Sequence, residues 1–435
     1  MTNQEKRSIH LNVLPLSNGF HPGGWLREGE DPEAIFDPAF YRRIGELAER
    51  GTFDAVFLAD SPRLTPDFTF RPPIRTLDPV LILTAVGAVT SHVGLVVTAS
   101  TTYKDPYSLA REFATLDLLS GGRAGWNVVT TRDEAAAGNF SSVAHPPPEE
   151  RYARAEEFFD VVRGLWAGWG EDAIVADRAN RRFADPERLR PLDHSGKWFQ
   201  VAGPVSVPPS PQGRPVIFQA GGSPPGVALA ARTADAVFAS VYDPAVARTS
   251  REELRRQAAA AGRDPDRIAF LPALLTVIGG TEAEARERRR QLDELAGPEA
   301  VRMLAFGLGT DPELLLELDR PLPDAVVAGL KADGPYRAVA SYGSLIERGA
   351  TIREILEEGG DGVGHRGIVG TPEQVADLIE SWVEAGAADG FNIVPDVLPD
   401  GLEAFVDHVV PELRARGLFR HEYEGATLRS HLGID

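Results

Sequence analysis

The stretch Pro215–Ser240, PVIFQAGGSPPGVALAARTADAVFAS, decides how the chain reads. Val216–Phe218 and Ala236–Ala239 are apolar runs of the kind buried on both faces of a parallel sheet, and the alanine-rich Gly226–Ala234 between them is a short helix. Strand, loop, helix and strand in that order make a parallel pair. In the loop QAGGS, Gly221 and Gly222 let backbone N–H groups approach a ligand, and Ser223 stands where the helix begins. Free N–H groups and a hydroxyl at a helix start suit a phosphate, here one carried by a cofactor at the C-terminal end of a strand. The same residues also make an ordinary turn with a serine N-cap, and the turn alone leaves the two readings level.

Working outward, strands and helices alternate along the chain. Strands are expected at Ile9–Leu16, Ala55–Ala59, Val93–Ala99, Ala124–Thr130, Ile268–Ile278 and Phe391–Val394. Helices are expected at Pro38–Arg50, Val80–Thr90, Pro106–Leu119, Glu149–Trp166, Asp243–Ala261, Pro372–Ala385 and Leu402–Arg416. About eight strand–helix units with near-continuously apolar strands predict an α/β (β/α)8 TIM barrel with loop insertions, a single domain over residues 1–435. A doubly wound open sheet is the alternative. The alternation breaks at Ser61–Thr76, at about 168–213, where a hairpin is expected around His194–Gly203, and at about 297–367, where one or two helices fit. None of these stretches is expected to hold a core of its own, so they read as loop insertions that bring ligand contacts to the barrel.

Composition removes several classes of function. Lys and Arg number 45 against 64 Asp and Glu, a net charge of −19, which argues against a nucleic acid or an anionic membrane as partner. There is no cysteine, so disulfides, thiolate–metal sites and a cysteine nucleophile are excluded. No apolar run suits a secretory signal or a membrane span, and a cytoplasmic location is the expectation. The nine histidines show no i, i+2, i+3 or i+4 pairing, so no metal site is expected. Gly362-Val363-Gly364-His365-Arg366-Gly367 matches a dinucleotide pattern, but it follows EEGGD rather than a strand and reads as a loop.

Polar residues at strand ends are the candidates for ligand contact. Asp60 ends one strand; Thr98 and Ser100–Thr102 end the next; Trp126, Asn127 and Thr130 end the one after and are expected to face the same mouth. Asn127 is conspicuous in WNVV, because a buried amide must find partners. Tyr152, one turn into a helix, has a hydroxyl that can reach a phosphate at the mouth, although a core tyrosine is the plainer reading. His21, in GFHPGGW after the first strand, is a candidate acid or base, or simply a surface histidine. Arg63, Arg71 and Arg75 can attract an anionic substrate, but as surface arginines they read first as solvated.

Several long segments resemble the flavin-dependent monooxygenases of the bacterial luciferase-like superfamily, in particular the nitrilotriacetate, alkane and dibenzothiophene-sulfone monooxygenase group. They are TASTTYKDPYSLAREFATLDLLSGGRAGWNVVT at Thr98–Thr130, RYARAEEF at Arg151–Phe158, GKWFQVAGP at Gly196–Pro204, PQGRPVIFQAGGS at Pro211–Ser223, VGTPEQVADLI at Val369–Ile379, AADGFNIVP at Ala387–Pro395 and VVPELRARGLFRHEYEGATLRSHLG at Val409–Gly433. The resemblance implies a barrel that binds FMN noncovalently, receives it as FMNH2 from a separate NAD(P)H:flavin reductase, and uses O2 to oxygenate a small organic substrate through a peroxyflavin at C4a or, in some relatives, N5. It implies flavin contacts from Asp60, Thr98, Asn127, Tyr152, Gly222 and Ser223, the last two with Tyr152 on the 5′-phosphate. It places His21 near the substrate. A homodimer or homotetramer is implied by analogy, with an exposed C-terminal segment as the hint.

Two positions depart from the group. A flavin-contacting histidine four residues before the tyrosine of RY is replaced by Pro148, and His145 is the candidate substitute. A catalytic histidine before Gly-x-Asp is replaced by Gly307, which leaves His365 as the insertion histidine able to approach the substrate. Those losses are the support for one other reading, an FMN-sequestering protein without turnover; a deazaflavin-dependent oxidoreductase on the same barrel is a third, against which the narrow family match argues.

Overall fold

The computed structural model describes residues 8–64, 71–73, 77–140, 144–333, 336–358 and 365–434. Its strands are β1 His10–Val13, β2 Ala55–Leu58, β3 Gly94–Ser100, β4 Ala124–Val129, β5 Val216–Ala220, β6 Ala236–Ala239, β7 Ala269–Ile278, β8 Arg366–Gly370 and β9 Gly390–Pro395. All but β8 form a closed parallel ring, β1 pairing β2 on one side and β9 on the other, and β6 pairing β7 to complete it. The chain is a (β/α)8 barrel. β7 is long enough for β6 to take its lower half and β8 its upper half. Two antiparallel hairpins, Ile174–Asp177 with Arg182–Ala184 and His194–Ser195 with Gln200–Val201, lie in the 168–213 insertion.

The enclosing helices are α1 Pro38–Arg50, α2 Pro79–Gly87, α3 Pro106–Leu119, α4 Pro148–Trp166, α5 Pro224–Thr233, α6 Pro244–Ala260 and α7 Glu282–Ala296; α8 Glu299–Leu308, α9 Asp324–Asp333, α10 Tyr336–Glu347 and α11 Ile352–Glu358 follow, then α12 Pro372–Glu384. Six of them start on one device. An Asp, Ser or Thr accepts a first-turn N–H, and the next residue is a proline whose missing N–H costs nothing there. The helix expected at Leu402–Arg416 runs from Asp400 to Ala415 and holds a π turn at Phe405–Val409. Pro411 lies just beyond it, and a proline ring disturbs the carbonyl one turn before. No described helix is long and apolar enough to cross a membrane.

Side chains alternate between lumen and helical layer. Ala55, Phe57, Val96, Phe218, Ala236, Leu271 and Ala273 fill the lumen. Trp126 points the other way, against the reading that set it at the mouth. It is fully buried among Phe113, Phe158, Phe159 and Trp166, and its Nε1 donates to Ala99 O at 3.1 Å.

One further expectation fails and another holds only in part. Residues 297–358 do hold a core: Val301, Leu304, Leu308, Leu315, Leu345, Ile352 and Ile355 pack together with Tyr242 at its edge. The C-terminal segment is exposed only in part: His421, Glu422 and Glu424–Ala426 are open to solvent. Leu428, Leu432 and Ile434 instead close the N-terminal end of the barrel and pack on its lumen. Around them Asp54 binds Arg420 at 2.8 Å and His10 at 3.2 Å, and Tyr423 donates to Phe53 O at 2.8 Å.

Candidate active site

The C-terminal mouth draws its polar groups from the upper ends of β2 to β6. Thr98 and Asn127 sit two residues beyond Val96 and Gly125 and therefore face the lumen. Asn127 Nδ2 donates to Thr98 Oγ1 at 2.9 Å, while Asn127 Oδ1 is buried with no partner. An amide oxygen left so costs about 1–3 kcal/mol, and a ligand N–H placed there recovers it. Below them Phe57 contacts Phe218 and Phe238 at ring separations of 5.9 and 5.7 Å, an apolar floor that excludes water.

One strand on, β5 ends in the QAGGS turn. Ser223 caps α5, its Oγ accepting from Gly226 N at 3.3 Å, and the Tyr152 hydroxyl from the start of α4 lies 3.0 Å from the same oxygen. The two hydroxyls share a helix start where N–H groups concentrate positive potential. Neither Gly221 nor Gly222 takes a positive φ, so the turn does not need glycine for its backbone shape. The nearest atom to a Cβ on Gly221 would be 3.8 Å away, so glycine here leaves the backbone uncovered. That atom is Nε2 of Gln219, which sequence reasoning missed: its side chain is buried and Oε1 has no partner. Its place in an apolar strand, like that of Asn127, is the signal that could have found it.

His145 sits between Tyr103, which follows β3, and Arg151 at the start of α4. Tyr103 Oη is 2.7 Å from its Nδ1, and Arg151 donates to its Nε2. An arginine only donates, so Nε2 is the bare nitrogen and Nδ1 carries the hydrogen. Burial and then the Arg151 charge hold the imidazole below its ordinary pKa. Tyr103 in turn stacks on Phe140 at 4.3 Å. Tyr103 and Arg151 both lie in segments quoted for the resemblance, yet neither was singled out.

Asp60 and Ser100 line a cleft of about 890 Å³ that runs from β2 and β3 outward to Trp25, Phe36, Arg63 and Arg71. The two arginines are not simply solvated. Arg63 Nε donates to Asp133 at 2.6 Å and Arg71 pairs with Glu299 at 3.3 Å, the Arg71 side chain being 15% exposed. Arg75 lies outside the described residues.

The two histidines proposed from sequence as catalytic are placed differently. His21 is enclosed: Nδ1 accepts from Gly23 N at 3.1 Å and Nε2 is 3.1 Å from Asp293 on α7. That geometry ties the loop after β1 to α7 and suits positioning rather than proton transfer. His365 packs edge-on against Phe238 at 5.5 Å, which brings it to the floor of the mouth. Of the pattern Gly362–Gly367, positions 362–364 lie outside the described residues, and Arg366 and Gly367 begin β8, a strand where a helix would be needed.

A family model described as luciferase-like monooxygenase matches residues 18–389. The chain belongs to the luciferase-like monooxygenases. It is 42% identical over 438 residues to N-acetyl-S-(2-succino)cysteine monooxygenase of Bacillus subtilis, covering 99% of this chain and 98% of that one. It is 39% identical over 440 residues to nitrilotriacetate monooxygenase component A of Aminobacter aminovorans, covering 98% and 97%. Among solved structures, a riboflavin lyase with modified FMN and riboflavin superposes with a TM-score of 0.84 at 31% identity, covering 98% of this chain and 96% of that one. This luciferase-like chain is thus a flavin-dependent monooxygenase, with relatives that work in two-component systems.

Proposed function

We propose that the chain is the oxygenating component of a two-component system: it binds reduced FMN delivered by a separate NAD(P)H:flavin reductase and transfers one atom of O2 to a small organic substrate. The observation that carries this reading is the Tyr152–Ser223 hydroxyl pair at the start of α5, one strand from the unpartnered oxygen of Asn127. A phosphate suits the first and a ring N–H the second, and both are parts of FMN. A relative designated component A and a neighbouring structure holding a modified FMN support the same assignment.

Each residue then has a defined task. Ser223, Tyr152 and the Gly222 N–H hold the 5′-phosphate; Asn127, with Thr98 fixing its amide, accepts from the ring. Asp60 faces the cleft beside the flavin, and His145 is locked between Tyr103 and Arg151. The Phe57, Phe218 and Phe238 floor keeps water from the reacting atoms. His365, above Phe238, is the group placed to move a proton, and His21 holds the loop that carries Trp25. When bound, reduced FMN supplies the electrons that activate O2.

The test is anaerobic titration with reduced FMN, then mixing with air. Bound flavin should reoxidise at a rate different from that of free reduced FMN, and a substrate panel run under 18O2 should yield one product with a single labelled atom. Reoxidation at the free rate, with no label in any product, overturns the proposal.

A further inference from the structure

We propose that the outer part of the 890 Å³ cleft is a subsite for an organic anion, in which Arg63 holds a substrate carboxylate against an aromatic wall. The inference rests on the cleft being the substrate site of the oxygenase described above. The chain as a whole carries a net charge of −19, yet three basic side chains, Arg63, Arg71 and Lys104, line this one cleft.

Each has an acid partner. Arg63 is paired with Asp133, Arg71 with Glu299 and Lys104 with Glu112, and none of those three carboxylates belongs to the lining. Three cations thus belong to the lining and their acid partners do not. The two carboxylates that do line it are otherwise committed. Asp78 accepts from Val80 N and Leu81 N as the cap of α2, and Asp60 has a partner of its own. The lining therefore offers an anion more than it offers a cation.

Arg63 is the best placed of the three. It reaches Asp133 through Nε, which leaves the fork of terminal nitrogens for a carboxylate, and its side chain is 28% exposed. A fork of this kind binds a carboxylate through two parallel N–H bonds. The same lining holds two aromatic side chains left largely bare, Phe36 at 55% and Phe140 at 44% exposure. A ligand that satisfies both carries one or more carboxylates on an apolar body.

Phenylsuccinate and its uncharged dimethyl ester test this by calorimetry, with the protein free and saturated with FMN. The dianion should bind at least about tenfold more tightly than the ester, and the preference should shrink at high salt. Arg63→Gln should weaken the dianion about tenfold and leave the ester unchanged, with Arg63→Lys between, because it keeps the charge and loses the fork. FMN affinity, measured on the same variants by flavin fluorescence, should not move. Equal binding of dianion and ester, no binding of either with or without FMN, or an Arg63→Gln variant that binds the dianion normally would each overturn the subsite. Loss of FMN binding by the wild-type protein would instead overturn the flavin reading, while the anion preference would still be read in the free protein.

Discussion

At the N-terminal end of the barrel, Asp54 is enclosed and answered from every side. Its Oδ1 meets Arg420 at 2.8 Å and His10 at 3.2 Å, and its Oδ2 accepts from Leu11 N at 2.7 Å. At the C-terminal end, Asn127 is almost as deeply buried, yet one of its oxygens meets nothing, and Gln219 repeats the pattern one strand on. Both ends belong to the same eight strands, so barrel geometry does not explain the contrast. What differs is the covering. The lower end is sealed by residues of the chain itself, and at the upper end these two amide oxygens have no partner within the chain.

The sharpest way to break this contrast is Asp54→Asn, which leaves Arg420 facing a neutral amide in a buried site. A loss of about 3–5 kcal/mol in urea unfolding is expected, with flavin affinity unaltered in the folded fraction. Acidity should act on the same end. Burial pushes the Asp54 carboxyl up, but Arg420 and His10 outweigh it and bring it down to about 2 from 3.8. Its contribution is therefore present above pH 4 and is lost as the pH falls toward 2. Burial likewise lowers His431 to about 4 from 6.5, so the neutral ring favours the fold above 6.5 and that share is lost between 6.5 and 4. On acidification the His431 share should therefore go first and the Asp54 share second, and a flat acid limb in thermal melts would contradict it.

Leu428→Ala comes next. Leu428 is fully buried at the lumen floor, and its truncation should cost about 2–4 kcal/mol, again without touching flavin binding. Ser223→Asp should do the reverse. Aspartate remains a good N-cap, so melting should hardly change, while its charge opposes the phosphate and weakens FMN by on the order of 2 kcal/mol. A variant that binds FMN normally would remove Ser223 from the phosphate site. The smallest effect is the most diagnostic. Asn127→Leu should keep or raise the stability of the free protein, because it removes an unanswered oxygen, yet weaken FMN by about 1 kcal/mol. A clear loss of stability would mean that Asn127 serves the fold alone.

Much of the barrel was legible from local signals. Pro38–Arg50, Pro106–Leu119 and Ala236–Ala239 have the bounds expected, because a capping residue followed by proline, or a turn on either side, marks the edge. Thr98, Asn127 and Ser223 stand out in the sequence as polar residues in or beside apolar strands, whereas Tyr152 enters through the resemblance; the structure brings Asn127 to Thr98 and Tyr152 to Ser223. Trp126 was misplaced because strands covered on both faces lose the period-two pattern, and nothing local says which way a tryptophan turns. The core of the 297–358 insertion was missed because its apolar residues are dispersed and meet only in three dimensions. The sealing of the barrel by residues 428–434 is likewise a contact between distant parts of the chain, and no window of sequence contains it.

That sealing has a bearing on how the chain is made. Leu428, Leu432 and Ile434 come after all eight strands of the ring in the sequence. During synthesis every strand can therefore be in place while the lumen is still open at one end, with Phe57, Val96 and Phe218 accessible to chaperones and proteases. A chain cut after β9 would be a barrel without its stopper, with apolar lumen surface uncovered at that end.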